Sequence, residues 1–313
     1  MPFVTLPKLK IHYEEAGSGN DILVLVHGNF ASWRWWKPVM ERLPSGYHAY
    51  IPDLRGSGDT DHTPDGHTVE QLAADIYDFV KALGVNKFHL VGHSLGGAVS
   101  LQITLNHPEM VTGLVLVAPA PAEGMPNLRK AARHDSPLFD LFECFSPKGF
   151  ASNISLETIE TIYKNWRTLV GNRYFLKSAI AKLMPSSRHD NPDFEALVDD
   201  AVRMSPEAMV GHLASLETWN VQAQLDSVEQ PVLILLGKQD GLVGPKEMKR
   251  TVRGLKRGRL IMWKGVGHSP QIERPERFIS LLTSFINQNK VLRRGLLRRV
   301  CEKLSRPLRD RLV

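Results

Sequence analysis

The chain has 313 residues, of which 42% are hydrophobic and 23% are charged, as is ordinary for a soluble globular protein. This length suits one large domain with an insertion, or two smaller domains. The chain starts without the basic and apolar pattern of a secretion signal, and no apolar run approaches the length of a membrane span. We therefore expect a cytoplasmic protein.

The net charge of +6 is concentrated at the carboxyl-terminal end. Residues 290–313 carry nine Lys or Arg side chains against two acidic ones, so the remaining body has a net charge of −1. Binding to nucleic acid needs clustered basic residues, and the body therefore predicts no nucleic-acid partner. The two cysteines, Cys144 and Cys301, form neither a disulfide framework nor a metal-ligand pattern.

Strand and helix patterns alternate along most of the chain. In order, they predict a hairpin at 3–14, strands at 22–26, 48–54, 88–92, 111–118, 231–237 and 259–263, and helices at 32–43, 68–83, 95–107, 246–253 and 275–287. Several of these strands are continuous aliphatic runs, which are typical of parallel strands buried on both faces. The fold class is therefore α/β, with a mostly parallel central sheet flanked by helices.

The alternation breaks between residues 119 and 221, where only helical patterns occur. They predict helices at 137–145, 155–170, 172–183, 191–204 and 206–217. The simplest reading is a helical cap inserted over the carboxyl edge of the sheet. We predict a core of residues 1–120 and 222–288, a cap of residues 121–221, and an extension of residues 289–313.

One turn carries a candidate nucleophile. Gly92-His93-Ser94-Leu95-Gly96 ends a strand and opens a helix. Glycines two residues before and after Ser94 let the strand and helix pack closely around a strained serine and expose its hydroxyl. A serine hydroxyl also needs a base and donors for the resulting oxyanion. Because so short a pattern also arises by chance, the rest of the chain must supply these partners.

Two later loops supply a candidate base and a candidate acid. Asp240 follows the strand 231–237, and His268 follows the strand 259–263. Loops at the carboxyl ends of parallel strands meet in one crevice, which would hold Ser94, Asp240 and His268 together. Histidine, with an ordinary pKa of about 6.5, can take the serine proton and return it to the leaving group, while an aspartate orients the imidazole. Glu123 is an alternative acid, and plain turn or surface roles for Asp240 and His268 are the competing interpretation.

With these motifs in place, the chain resembles the α/β-hydrolase superfamily, in its cap-bearing branch, over residues 1–288. The matching motifs are His27-Gly28, Asp53 to Gly58, Gly92 to Gly96, Gly237 to Asp240 and Gly267-His268. The resemblance implies an oxyanion hole formed by the backbone N–H groups of Asn29 and Leu95. It also implies structural roles for His27, Asp53 and Arg55, and we expect His93 to serve packing.

A serine at position 94 excludes two relatives of this architecture, because haloalkane dehalogenases and epoxide hydrolases place an aspartate there. Asn29 resembles the dehalogenase pattern, but without that aspartate it supports only a polar oxyanion loop. The predicted function is a serine hydrolase, esterase-like or lactonase-like, that cleaves small carboxylic esters or lactones through an acyl-enzyme, with no cofactor and no metal. Thioester, carbon–carbon or perhydrolase chemistry remains open, as does a small-molecule receptor with vestigial hydrolysis.

Aromatic residues are frequent in the predicted cap and after the first motif. They are Phe139, Phe142, Phe145, Phe150, Tyr163, Trp166, Tyr174 and Phe175 in the cap, and Trp33, Trp35 and Trp36 before it. We expect most of them in structural packing and the remainder against an apolar or aromatic part of the substrate.

The extension has an apolar stripe on a basic helix, made by Leu292, Leu296, Leu297, Val300 and Leu304. Packing on the body, contact with an anionic membrane and contact with a protein partner all fit this pattern. The oligomeric state is left open.

Overall fold

The computed structural model describes residues 2–126 and 173–291, and within them it has the predicted α/β architecture. Eight strands form one sheet in the order β1-β2-β4-β3-β5-β6-β7-β8. The first two pairings, β1 with β2 and β2 with β4, are antiparallel, and all later ones are parallel. The strands are β1 Phe3–Leu6, β2 Leu9–Gly17, β3 Asp21–Val26, β4 Tyr47–Pro52, β5 Phe88–His93, β6 Val111–Val117, β7 Val232–Gly237 and β8 Gly258–Trp263.

Helices follow the strands on both faces of the sheet. In the described ranges they are α1 Lys37–Met40, α2 Val69–Ala82, α3 Leu95–Asn106, α4 Arg173–Leu183, α5 Pro192–Arg203, α6 Pro206–Thr218, α7 Pro245–Gly254, α8 Pro270–Glu273 and α9 275–291. Within the part of the chain that the structure describes, no helix has both the length and the apolar composition needed to cross a membrane.

Three of the described helices differ most from the predictions. The helix expected at 32–43 is a 3-10 turn, Trp33–Trp36, that continues into the short α1. Ser32 caps it as expected, accepting a hydrogen bond from the Arg34 N–H. The short helix α8 was not predicted, and α9 runs four residues past 287 because no glycine or proline stops it there.

The insertion between β6 and β7 is helical in its described part. Helices α4, α5 and α6 match the last three predicted cap helices to within two residues. The predicted helices 137–145 and 155–170, and the extension after residue 291, lie outside the described residues. The domain boundaries stay a prediction.

Three apolar clusters hold these layers together. One joins the sheet to α2, α3 and α7, and includes Phe79 and Leu101. A second lies on the opposite face, where the Trp36 and Phe278 rings pack with centroids 6.1 Å apart. A third joins α4, α5 and α6 to Trp35, in the segment after β3. The insertion is therefore packed directly against the loop that follows β3.

Candidate active site

Ser94 lies in a strained turn between β5 and α3. Its φ of 54° and ψ of −118° are sparsely populated for a residue with a side chain. A Cβ on Gly92 would lie 2.2 Å from the Gly96 carbonyl oxygen, and one on Gly96 would lie 2.3 Å from the His27 carbonyl oxygen. The close packing predicted for these two glycines is thus present, and any side chain there would push α3 away from the strands.

Asp240 and His268 are brought together by the ends of β7 and β8. Asp240 Oδ2 accepts a hydrogen bond from His268 Nδ1 at 2.8 Å, and both side chains are almost fully buried. Asp240 Oδ1 accepts from the N–H groups of Leu242 and Val243 at 2.8 and 3.1 Å. Because these bonds hold the carboxylate in place, the imidazole proton is directed to Nδ1 and Nε2 is left as an acceptor.

Glu123, the alternative acid, does not contact His268. It forms an ion pair with Arg250 at the protein surface. Of the two candidate acids, only Asp240 is hydrogen-bonded to the imidazole.

A cavity of about 70 Å³ lies between the core and the insertion, and Ser94, His268, Leu95 and Asn29 all line it. The rest of its described wall is mostly apolar, with contributions from Trp35 on the core side and from Leu183, Leu213 and Leu216 on the insertion side. Among the three tryptophans after β3, Trp35 alone is part of this wall, whereas Trp36 is buried below it in the second apolar cluster.

The other predicted aromatic candidates do not contribute described contacts to the cavity. Tyr174 is 86% exposed. The remaining cap aromatics, and the side chain of Phe175, lie outside the described residues.

The loop carrying His268 is held by residues that the sequence analysis did not single out. Glu273 is buried and accepts hydrogen bonds from the N–H groups of Gly267 and Ser269, on either side of His268, at 2.8 and 3.3 Å. Its second oxygen accepts from the Ser186 N–H and hydroxyl at 3.1 and 2.7 Å. The only sequence signal for Glu273 was its position five residues after His268.

The insertion also contacts His268 directly. The backbone N–H of His268 donates to the carbonyl of Leu183, the last residue of α4, at 2.8 Å. Together with the Glu273 contacts to Ser186, this bond makes the end of α4 part of the support of His268.

His93 does more than pack. Its Nε2 donates to the backbone carbonyl of His268 at 3.0 Å, and its ring stacks on Trp35 with centroids 5.5 Å apart. Burial, with a smaller contribution from the neighbouring His268 and His27 rings, lowers the pKa of His93 well below its ordinary value. A neutral His93 therefore holds the backbone of His268 in place through this hydrogen bond.

His27, Asp53 and Arg55 have the structural roles that the resemblance implied. His27 Nε2 accepts from the Leu54 N–H at 2.9 Å, its Nδ1 donates to the Gly28 carbonyl at 2.8 Å, and burial lowers its pKa. Asp53 accepts from the Trp33 N–H at 2.7 Å and is paired with His12, a partner that the motif did not indicate.

Arg55 forms a two-pronged ion pair with Asp75 of α2, at 2.8 and 2.7 Å. The glycine-rich loop after β4 is thereby tied to the core.

The segment after β3 is anchored to the insertion by a buried carboxylate. Asp200 of α5 accepts from the Ser32 hydroxyl and pairs with Arg34 at 2.7 Å. Burial raises the pKa of Asp200, while Ser32 and Arg34 act in the opposite direction.

Among the residues described, no group of three or more His, Cys, Asp or Glu side chains is arranged to hold a metal ion.

Comparison with known proteins places this geometry in a family. A methyl ester esterase for pimeloyl-(acyl-carrier protein) from Vibrio vulnificus is 26% identical over 275 residues, which cover 88% of this chain and 97% of that protein. A 2-hydroxy-6-oxononadienedioate/2-hydroxy-6-oxononatrienedioate hydrolase from Burkholderia vietnamiensis is 25% identical over 296 residues, covering 90% and 92%.

A solved structure has the same fold. A thermophilic esterase from Thermogutta terrifontis superposes with a TM-score of 0.72 at 23% identity, covering 92% of this chain and 99% of that one. The sequence model of the alpha/beta hydrolase family matches residues 23–281, which is most of the chain. The chain belongs to the alpha/beta hydrolase family.

Proposed function

We propose that the protein is a serine hydrolase that cleaves carboxylic esters or lactones through an acyl-enzyme. The observation that carries the proposal is the 2.8 Å bond between Asp240 and His268, on the wall of the cavity that Ser94 also lines. Ser94 and His268 come from separate loops and line the same cavity, and Asp240, from a third loop, is hydrogen-bonded to His268.

In this mechanism Ser94 Oγ attacks the carbonyl carbon as His268 Nε2 takes its proton. The imidazolium is stabilised by Asp240, and the carbonyl oxygen becomes an oxyanion. Leu95, the first residue of α3, has a backbone N–H with no acceptor within the helix, and with the N–H of Asn29 it stabilises that oxyanion.

When the intermediate collapses, the bond to the leaving alkoxide breaks and His268 gives it the proton. Water, deprotonated by His268, then attacks the acyl carbon, the bond from that carbon to Ser94 Oγ breaks, and His268 returns the proton to Ser94 Oγ as the acid is released. None of these steps requires a metal or a cofactor.

The substrate carries an apolar or aromatic part, because the described wall beyond the polar groups is built from Trp35 and several leucines. Across a series of p-nitrophenyl esters, kcat/KM should therefore rise with the apolar surface of the acyl part until the cavity is filled. A flat series would contradict an apolar acyl site.

The decisive experiment replaces the nucleophile. Ser94→Ala should keep the melting temperature within a few degrees of the wild-type value and reduce ester turnover by at least about 10³-fold. A fluorophosphonate label should attach to Ser94, as located by peptide mapping, and should not attach to the variant. Near wild-type turnover in Ser94→Ala would overturn the mechanism.

The Burkholderia relative supports a second candidate, because the 2-hydroxy-6-oxo acids in its name are not esters. The same three residues would then cleave a carbon–carbon bond beside a carbonyl group. Turnover of a 2-hydroxy-6-oxo acid, with esters hydrolysed at least about tenfold more slowly in kcat/KM, would select this candidate. A single slow turnover on every substrate, with a rise in melting temperature on binding, would instead select a receptor.

A further inference from the structure

The carboxamide of Asn29 is held in one orientation at the edge of the cavity. Its Oδ1 accepts from the Phe30 N–H at 3.2 Å and is 3.1 Å from His212 Nδ1. A backbone N–H can only donate, so the atom facing Phe30 must be the amide oxygen. His212 then has to donate as well, which places its proton on Nδ1.

The amide nitrogen on the other side of Asn29 has a different environment. Nδ2 is buried, and no acceptor among the described residues bonds to it. Asn29 lines the cavity, and the preceding Gly28 packs so closely on the nucleophile that a Cβ there would lie 2.9 Å from Ser94 Cβ. A buried donor is normally paired, and here an acceptor brought by the substrate can pair with it.

His212 belongs to α6 of the insertion, whereas Asn29 belongs to the core. The His212 ring is fully buried and meets His67 edge-on with centroids 5.7 Å apart. Burial lowers its pKa well below the ordinary value, so the imidazole is neutral and has one proton to donate. If that proton moved to Nε2, the second bond to Asn29 Oδ1 would be lost.

We propose that Asn29 Nδ2 donates a hydrogen bond to the substrate carbonyl oxygen as it becomes the oxyanion, and that His212 is the positioning residue that keeps the amide turned this way. The inference rests on the proposed function, and it adds a side-chain donor to the two backbone donors. It also gives the insertion a part in stabilising the transition state.

Three variants at Asn29 test the donor. Asn29→Asp keeps an oxygen for Phe30 and His212 but has no Nδ2 donor, Asn29→Ser keeps a short acceptor for the Phe30 N–H without a charge, and Asn29→Leu has neither. We expect all three to lower kcat by about 10²-fold, with KM changed only a few-fold, as for other oxyanion donors. Wild-type kcat in Asn29→Leu, which has no donor in its side chain, would overturn the proposal.

Two variants at His212 test the positioning. Asn in place of His can put its Nδ2 near the position of the imidazole Nδ1, so His212→Asn should retain most of kcat, whereas His212→Leu should lower it about tenfold. In the double variant Asn29→Leu/His212→Leu, the second change should add almost nothing, because its target is gone. Fully additive losses would show that His212 does not act through Asn29.

Labelling separates failure of this inference from failure of the proposed function. If fluorophosphonate does not label Ser94 in the wild-type protein, the proposed function fails and the inference fails with it. If Ser94 is labelled and Asn29→Leu keeps its kcat, only the inference fails. Melting temperatures of every variant identify any loss that comes from unfolding.

Discussion

The two sides of the cavity are built in different ways. On the core side, Ser94, Asp240 and His268 each stand on a loop directly after a parallel strand, so local sequence places them. On the insertion side, Leu183 lines the same cavity and His212 contacts Asn29 in its wall, and both residues come from helices with no recognisable motif. The difference teaches that local sequence identifies the groups proposed to react, whereas the contacts that support these groups are long-range.

Hydrogen bonds around His268 nevertheless connect the two sides. Glu273 holds both neighbours of His268 and also the Ser186 turn, and the Leu183 carbonyl accepts from the His268 N–H. A change confined to the end of α4 is therefore transmitted to the imidazole through two separate sets of hydrogen bonds. The insertion therefore supports the imidazole that the proposed mechanism uses as its base.

The largest expected effect is on the core side, at Asp240. Asp240→Asn keeps Oδ1 for the Leu242 and Val243 N–H groups, but it turns an N–H₂ group toward His268 Nδ1 and favours the wrong tautomer. We expect kcat for ester hydrolysis to fall about 10⁴-fold with the melting temperature nearly unchanged.

The matched control is Glu123→Gln, which alters the alternative acid and its surface pair with Arg250. It should leave kcat within about twofold of the wild-type value, since surface ion pairs contribute little. The reverse pattern, with activity lost in Glu123→Gln and kept in Asp240→Asn, would show that Glu123 is the acid of the catalytic site and that Asp240 is not.

The next largest effect tests Glu273, whose hydrogen bonds connect the two sides. In Glu273→Gln one carboxylate oxygen becomes an N–H₂ group, which must face backbone N–H groups of the His268 loop or of Ser186. We expect a loss of about 1–3 kcal/mol of stability and about a tenfold lower kcat, measured by denaturant unfolding and ester turnover. Glu276→Gln, an exposed neighbour paired with Arg42, is the control and should unfold at the same denaturant concentration as the wild-type protein.

The smallest effect is a pH dependence, which can be tested at one buried histidine on each side. Burial lowers the pKa of His93 in the core and of His212 in the insertion, while the unfolded chain titrates near 6.5. As pH falls below about 6.5, the unfolded state binds protons that the native state does not, so the free energy of unfolding decreases. Each such histidine contributes up to about 1.4 kcal/mol per pH unit.

His12 acts in the opposite direction: burial lowers its pKa, but the hydrogen bond and charge of Asp53, together with the charges of Asp59 and Glu14, outweigh burial and raise it. The test is therefore the difference between variants, by urea unfolding at pH 7.5 and 5.5. His93→Asn and His212→Asn should each make the acid loss of stability smaller, whereas the exposed His62→Gln should leave it unchanged. Equal acid losses in all four proteins would contradict the buried neutral state of His93 and His212.

By itself, the sequence determined the sheet, the order of its elements and the three residues expected to react. These features are local: aliphatic runs mark buried strands, paired glycines mark the turn at Ser94, and Asp240 and His268 come directly after strands. The choice between Asp240 and Glu123 could not be made locally, because it depends on which carboxylate reaches the imidazole.

Only the tertiary structure decided what holds the reacting groups in place. The contact of Glu273 with Ser186 joins residues 87 positions apart, and that of His212 with Asn29 joins residues 183 positions apart. No spacing pattern in the sequence predicts either contact. Trp35 and Trp36 are neighbours in sequence, yet one lines the cavity and the other is buried beneath it. Packing of the insertion on the core sets these outcomes, because burial and hydrogen-bond partners depend on both surfaces at once.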